Sequence, residues 1–341
     1  MRSAIWLALF CASCASCGTT HQVIDAGSEL HPTDARAPDP PRDAGADLSA
    51  NVTNDLAGLT VPIVPVVTLP PDLAGLVAAR PYSLQVPSSY DASKAYPLVI
   101  ALHGFGGGSN SAQLENYLHL GAIVDSRGFL YARPDGLTDK NGDEFWSATD
   151  ACCNVYGSPV DDVGYLRALI GDVAAKYHVD AGRVFVMGLS AGGFMAHRAA
   201  CDLADKVAAV ISMSGATWKD AARCKPSQAV SVLELHGDGD ASVSYLGGTG
   251  DSGGAYPSAP NTVAHWAAYD GCTGPLAPTG TRLDLDLLIP GAETRVERYG
   301  GCVGAPGIGV ELWTVEGGGH TLHPPDSLRD TLVDFLYAHG R

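Results

Sequence analysis

The chain has 341 residues, enough for one large α/β domain with appendages, and 46% of them are hydrophobic, so a full core is available. Its 21 Lys and Arg against 37 Asp and Glu leave a formal charge of −16. That balance excludes a nucleic-acid binder, because phosphate recognition draws on clustered Lys and Arg and no such cluster occurs.

The first residues, MRSAIWLALFCASCASCG, set Arg2 before a short apolar run from Ala4 to Phe10, followed by small residues around Cys11, Cys14 and Cys17. Residues 1–17 are expected to be an export signal, too short to span a membrane. A Cys behind small residues also fits a lipoprotein cleavage site, with Cys14 or Cys17 carrying a lipid tether, although the usual Leu three positions earlier is missing. Residues 18–75 are rich in Ala, Pro, Asp and Thr and contain no aromatic residue. Such a stretch cannot bury enough apolar area to offset its ordering entropy, so it is read as a disordered linker. The echo of Asp55-Leu-Ala-Gly-Leu59 in Asp72-Leu-Ala-Gly-Leu76 is low complexity rather than a repeat domain.

Residues 76–341 are expected to form the folded domain. Tyr82 to Val86 alternates as an early strand. Leu98 to Leu102, Val184 to Met187, Val207 to Met213, Val230 to Leu235 and Val310 to Val315 are short apolar runs of the kind that form buried parallel strands. Helical spacing marks Asp161 to Tyr177, Ala191 to Leu203 and Ser327 to Ala338. The alternation implies an α/β fold with a mostly parallel central sheet and helices on both faces. Six cysteines follow the signal: Cys152, Cys153, Cys201, Cys224, Cys272 and Cys302. In an exported chain they suggest disulfides, and loop proximity favours Cys272 with Cys302 and Cys201 with Cys224. A vicinal Cys152–Cys153 bridge is left open. Among these six no CxxC pair points to structural zinc.

Gly188-Leu-Ser190-Ala-Gly192 matches G-x-S-x-G between an apolar strand and a helix, the context in which a nucleophilic serine sits on a tight turn. Gly250-Asp-Ser252-Gly-Gly254 matches the same pattern but lies in a glycine-rich loop with neither element beside it. The acid of a serine triad should lie just past a strand end; Asp240 is favoured over Asp238, whose simpler role is turn formation. His320, after Val310 to Val315 and Gly317-Gly-Gly319, is the expected base. His323, in His-Pro-Pro, is its rival, and His119, His178, His197, His265 and His339 are read as surface or core residues. His103-Gly-Phe-Gly-Gly-Gly108 follows a buried strand, so the backbone N–H groups of Phe105 and Ala191 are expected to form an oxyanion hole, with His103 bracing the loop. Asp139-Lys-Asn-Gly-Asp143 with Asp150 imitates a calcium loop but carries Glu144 where that loop needs Gly. No metal and no cofactor is expected.

The chain resembles the secreted polyhydroxybutyrate depolymerase and feruloyl esterase group, which includes lipoprotein esterases. The matching pieces are Pro97 to Gly104, Arg133-Pro-Asp-Gly136 with Trp146, Cys152-Cys153, Val160 to Tyr165, Gly188 to Ala196, His236-Gly-Asp-Gly-Asp240 through Tyr245, Gly271-Cys272 and Glu316 to His320. The resemblance covers about residues 80–340 and implies an α/β-hydrolase fold with nucleophile, acid and base at Ser190, Asp240 and His320. Thr321-Leu-His323 and Val243-Ser-Tyr245 depart from the group's pattern and put substrate identity in question. The expected function is an extracellular serine esterase acting on feruloyl or acetyl esters of polysaccharide, or on short hydroxyalkanoate esters. An exported serine peptidase and a non-catalytic envelope-tethered binding protein are the alternatives. Residues between Tyr245 and Val310, with Cys272 and Cys302, are expected to build part of the pocket wall.

Overall fold

The computed structural model describes residues 71–303 and 307–341. The expected export signal, the lipid-bearing Cys14 or Cys17 and residues 18–70 of the linker lie outside the described residues. Nine strands form one sheet: β1 (Tyr82–Gln85), β2 (Tyr96–Leu102), β3 (Leu130–Pro134), β4 (Val179–Leu189), β5 (Ala209–Met213), β6 (Ser231–Gly237), β7 (Leu276–Leu283), β8 (Thr294–Tyr299) and β9 (Val310–Val315). Their order across the sheet is β1-β3-β2-β4-β5-β6-β9-β8-β7. The run from β3 to β9 is parallel, while β1 at one edge and the β8–β7 pair at the other are antiparallel.

Strand β2 shows why this sheet is covered twice. Leu98, Ile100 and Leu102 face one apolar cluster and Val99 and Ala101 face a second, and all five are fully buried. Successive side chains of a strand point to opposite faces, so a strand without polar alternation needs cover on both. The first face is covered by α3 (Asp162–Lys176), α4 (Ala191–Asp202) and α5 (Ala259–Tyr269), through Leu166, Leu169, Phe194, Val263 and Trp266 among others. The second is covered by α2 (Ser111–Leu118) and α6 (Ser327–Ala338), through Leu114, Leu118, Leu328, Leu332 and Phe335. Each fully buried aliphatic or aromatic side chain contributes about 1.5–3 kcal/mol relative to exposure.

Two expectations are revised. A helix, α1, spans Pro71–Ala79, so residues 71–75 are helical rather than linker. Leu76 of this helix packs on the core, and the following Arg80 anchors it by a 2.6 Å ion pair with buried Asp162 and by stacking over Trp146 and Tyr165. Composition averaged over a window hides so short an anchored segment. Of the stretch expected to wall the pocket, Asp251 and Tyr256 do line a cavity beside Ser190, whereas the Cys272–Cys302 bridge is not in its lining and instead ties the segment after α5 to the segment after β8. Cys201 pairs with Cys224, and Cys152 with Cys153.

Candidate active site

Open parallel sheets gather their sites at the carboxyl ends of the strands. Here β2 ends at the His103 loop, β4 at Ser190, β6 at the Asp240 loop and β9 at the loop holding His320. Ser190 joins β4 to α4 with φ 57° and ψ −116°, a backbone region that is costly for a residue with a Cβ. The turn is pinned by Ser190 N–H donating to the Met213 carbonyl at 2.8 Å and by Phe194 N–H donating to the Ser190 carbonyl at 3.0 Å. A Cβ on Gly188 would collide with the Gly192 backbone, and one on Gly192 with the Leu102 carbonyl, which is why both flanking positions are glycine.

Asp240 lies 7% exposed beyond β6. Its Oδ1 accepts the N–H groups of Ser242 and Val243, each at 2.8 Å, and its Oδ2 lies 2.7 Å from His320 Nδ1. Burial works against this carboxylate, but hydrogen bonds from His236 and His320 and the charge of His320 outweigh it and hold its pKa well below the usual aspartate range. With Nδ1 bound to Asp240, Nε2 is the His320 nitrogen left for Ser190, which lines the same cavities. Ser214 Oγ donates to the His320 carbonyl at 3.0 Å from the end of β5, itself at φ 53°.

The loop after β2 is braced by its histidine. His103 Nε2 accepts the Gly136 N–H at 2.7 Å, so Nδ1 carries the proton and donates to the Gly104 carbonyl at 2.7 Å. Trp146 Nε1 donates to the His103 carbonyl at 3.0 Å. Burial pushes the His103 pKa down and so favours the neutral ring that this geometry needs, although the Gly104 carbonyl pulls the other way. Ala191 opens α4, where the first N–H groups of a helix have no intrahelical partner. Phe105, the other expected oxyanion donor, stands with Ser190 and His320 on the divide between two cavities. One, of about 290 Å³, is walled by Gly104, Gly107, Gln113, Tyr117 and Thr321. The other, of about 280 Å³, is walled by Cys152, Cys153, Phe194, Val243, Asp251 and Tyr256.

The other candidates fall elsewhere. His323 is exposed and its Nδ1 lies 3.6 Å from Asp286. Asp238 Oδ1 accepts the Gly317 N–H at 2.6 Å, which ties the loop after β6 to the loop after β9. Ser252 sits in the hairpin turn between Gly248–Thr249 and Ala255–Tyr256. The Asp139 carboxylate accepts the Asn141 and Asp143 N–H groups of its own turn. Sequence reasoning missed Ser214, Glu234 and the role of His236. Glu234, an acid in the middle of an apolar strand, was the one visible signal.

The chain matches the family model for the alpha/beta hydrolase fold over residues 147–238. It is 31% identical over 248 residues to feruloyl esterase B of Piromyces equi, which covers 71% of this chain and 42% of that one. It is 28% identical over 149 residues to a bifunctional acetylxylan esterase/xylanase of Neocallimastix patriciarum, covering 44% and 20%. The chain thus spans less than half the length of these curated relatives. The structure of an acetyl xylan esterase from Aspergillus awamori aligns with a TM-score of 0.53 at 15% identity, covering 75% of this chain and 93% of that one.

Proposed function

We propose, from the premise that the chain is an α/β hydrolase, that it is a serine esterase cleaving carboxylic esters through Ser190, His320 and Asp240. The observation that carries this reading is the 2.7 Å Asp240–His320 pair lining up behind a serine on a strained strand-to-helix turn, with serine and histidine sharing both cavities. His320 takes the Ser190 proton as Oγ attacks the ester carbonyl, and Asp240 stabilises the imidazolium. The carbonyl oxygen, now anionic, is received by the Phe105 and Ala191 N–H groups. The alcohol leaves with the proton from His320, and water then releases the acid from the acyl-serine by the same steps in reverse.

The two cavities on either side of Ser190 suit the two halves of an ester. The names of the relatives favour feruloyl or acetyl groups on a plant polysaccharide as substrate. Three disulfides favour an oxidising, extracytoplasmic location, and a lipid on Cys14 or Cys17 would tether the enzyme to the envelope. The test is acid release from p-nitrophenyl acetate, p-nitrophenyl butyrate and methyl ferulate by the wild type beside Ser190→Ala. Turnover that the variant loses supports the reading, and its ranking identifies the acyl class. A folded wild type that turns over none of the three overturns it.

A further inference from the structure

The chain of polar contacts that starts at His320 does not end at Asp240. His236 Nε2 lies 3.4 Å from Asp240 Oδ2 and 2.8 Å from the Val243 carbonyl, and its Nδ1 lies 2.8 Å from Glu234 Oε1. Glu234 Oε2 lies 2.9 Å from His197 Nε2, and His197 Nδ1 receives the Trp266 indole N–H at 3.0 Å. His197, Glu234 and His236 are each at most 1% exposed.

Donor chemistry alone places most of the protons. An indole N–H only donates, so His197 Nδ1 is bare and Nε2 carries the proton that Glu234 Oε2 accepts. A carbonyl only accepts, so His236 Nε2 is protonated. One proton remains, between Glu234 Oε1 and His236 Nδ1. With a second carboxylate, Asp240, on its far side, the imidazole is the better holder, since a cation between two anions is favoured. Burial disfavours that cation, yet the bonds to Asp240 and Glu234 push the His236 pKa up to about 9. Burial likewise opposes the Glu234 carboxylate, and its bonds to His197 and His236 bring its pKa below the ordinary value.

We infer that Glu234 and His236 form a buried carboxylate–imidazolium pair that acts as a positioning element behind the triad, setting a positive charge against Asp240 Oδ2 while that atom holds His320. The inference rests on the triad reading above. Asp240 is already held by two backbone N–H groups, so the distinctive effect of His236 is its charge. A cation behind Asp240 offsets part of that carboxylate's pull on the His320 ring. The titratable groups facing the His236 ring are Glu234 on its own strand, Asp240 on the next loop and Tyr245, packed edge-on at 5.7 Å with its hydroxyl on Thr314 of β9. His197 of α4 stands behind Glu234, and His320 beyond Asp240.

Glu234→Gln separates charge from shape. Its amide oxygen can accept from His197 and its NH2 can donate to His236 Nδ1, so every hydrogen bond survives while His236 becomes neutral. The expected result is an unchanged KM for p-nitrophenyl acetate and an acid limb of kcat/KM moved up by about one pH unit. Nitrogen-15 NMR of the histidine-labelled full chain reads the same shift in the His320 ring without turnover. In the wild type it should find both His236 nitrogens protonated at neutral pH and His197 protonated on Nε2 alone. A singly protonated His236 in the wild type overturns the proposal, whether or not the variant folds. So does a folded Glu234→Gln protein whose acid limb and His320 titration match the wild type, which would make the pair purely structural. Failure of the wild type to hydrolyse any ester counts against the esterase reading and leaves the NMR outcome standing.

Discussion

Ser214 Oγ donates a 3.0 Å hydrogen bond to the carbonyl of His320, so the candidate base is held from the end of β5 as well as by Asp240 Oδ2 at 2.7 Å from Nδ1. The ring is thus fixed through its backbone and its side chain at once. Hydrogen bonds of this type turn into rate, because reacting groups that are already oriented need no ordering in the transition state.

Asp240→Asn should retain the fold, since an amide oxygen can still accept the Ser242 and Val243 N–H groups. Its NH2 would meet His320 Nδ1 and enforce the wrong tautomer, so turnover should fall by about 10⁴-fold, against at least about 10³-fold for Ser190→Ala. Steady-state kinetics on p-nitrophenyl esters, with circular dichroism to check folding, decides the matter. Retention of more than a tenth of wild-type kcat by the asparagine variant would remove Asp240 from the mechanism.

His103→Ala should lower kcat by about 10²-fold with little change in KM, because the lost Gly136 and Gly104 bonds loosen the loop that presents Phe105 N–H. The same ring predicts a pH dependence. Its pKa is depressed by burial below the ordinary 6.5, so its contribution to stability is complete above that value and is lost as pH falls through the folded pKa. Thermal melts of wild type and variant between pH 7 and acid should converge; parallel curves would show that His103 does not titrate with unfolding.

Asp270 supplies the opposite slope. Burial raises its pKa from 3.8 to about 7, against the one N–H it accepts, from Val230 at 3.2 Å. The folded protein therefore binds this proton more tightly than the unfolded chain, and stability falls as pH rises from about 4 to about 7. Asp270→Asn keeps the acceptor and removes the buried charge. It should gain on the order of a few kcal/mol at pH 8 and nothing at pH 4, with activity unchanged. Denaturant melts at the two pH values test this, and equal gains at both would rule out titration as the cause.

Replacing Cys272 and Cys302 by Ser should cost about 3.6 kcal/mol, the loop-closure estimate for a bridge spanning 30 residues. Because neither cysteine of this bridge walls either cavity, KM for small esters should be unchanged in the folded variant. Changing Cys152 and Cys153 to Ala should instead alter KM, since both sulfur-bearing residues wall the 280 Å³ cavity. Michaelis curves for acetate and ferulate esters separate the two pairs, and a KM effect confined to Cys272–Cys302 would reverse the assignment.

Much of the parallel core could be read from the chain because each central strand is buried on both faces, and such strands are mostly apolar. The outer elements were not legible in that way. Strand β7, Leu-Ala-Pro-Thr-Gly-Thr-Arg-Leu, lies largely exposed at the sheet edge, and an edge strand needs no apolar pattern. Helix α5 carries a Ser258 cap with Pro260 in its first turn and Val263 and Trp266 at helical spacing, a signal present but overshadowed by the glycine-rich stretch before it.

What the sequence by itself determined is the residue chemistry bound to strand ends: a glycine-flanked serine after β4, acids after β6, a histidine after β9 and a glycine loop after β2. Those assignments are local, because a strand, its turn and its next helix are contiguous in the chain. Only the tertiary structure decided that Asp240 rather than Asp238 meets His320, that Phe105 divides two cavities, and that Glu234 and His197 stand behind His236. These depend on β4, β5, β6 and β9 lying side by side, with α4 and α5 closing over one face of the sheet. Residues as distant in sequence as Asp240 and His320 reach hydrogen-bonding range only when that sheet is assembled.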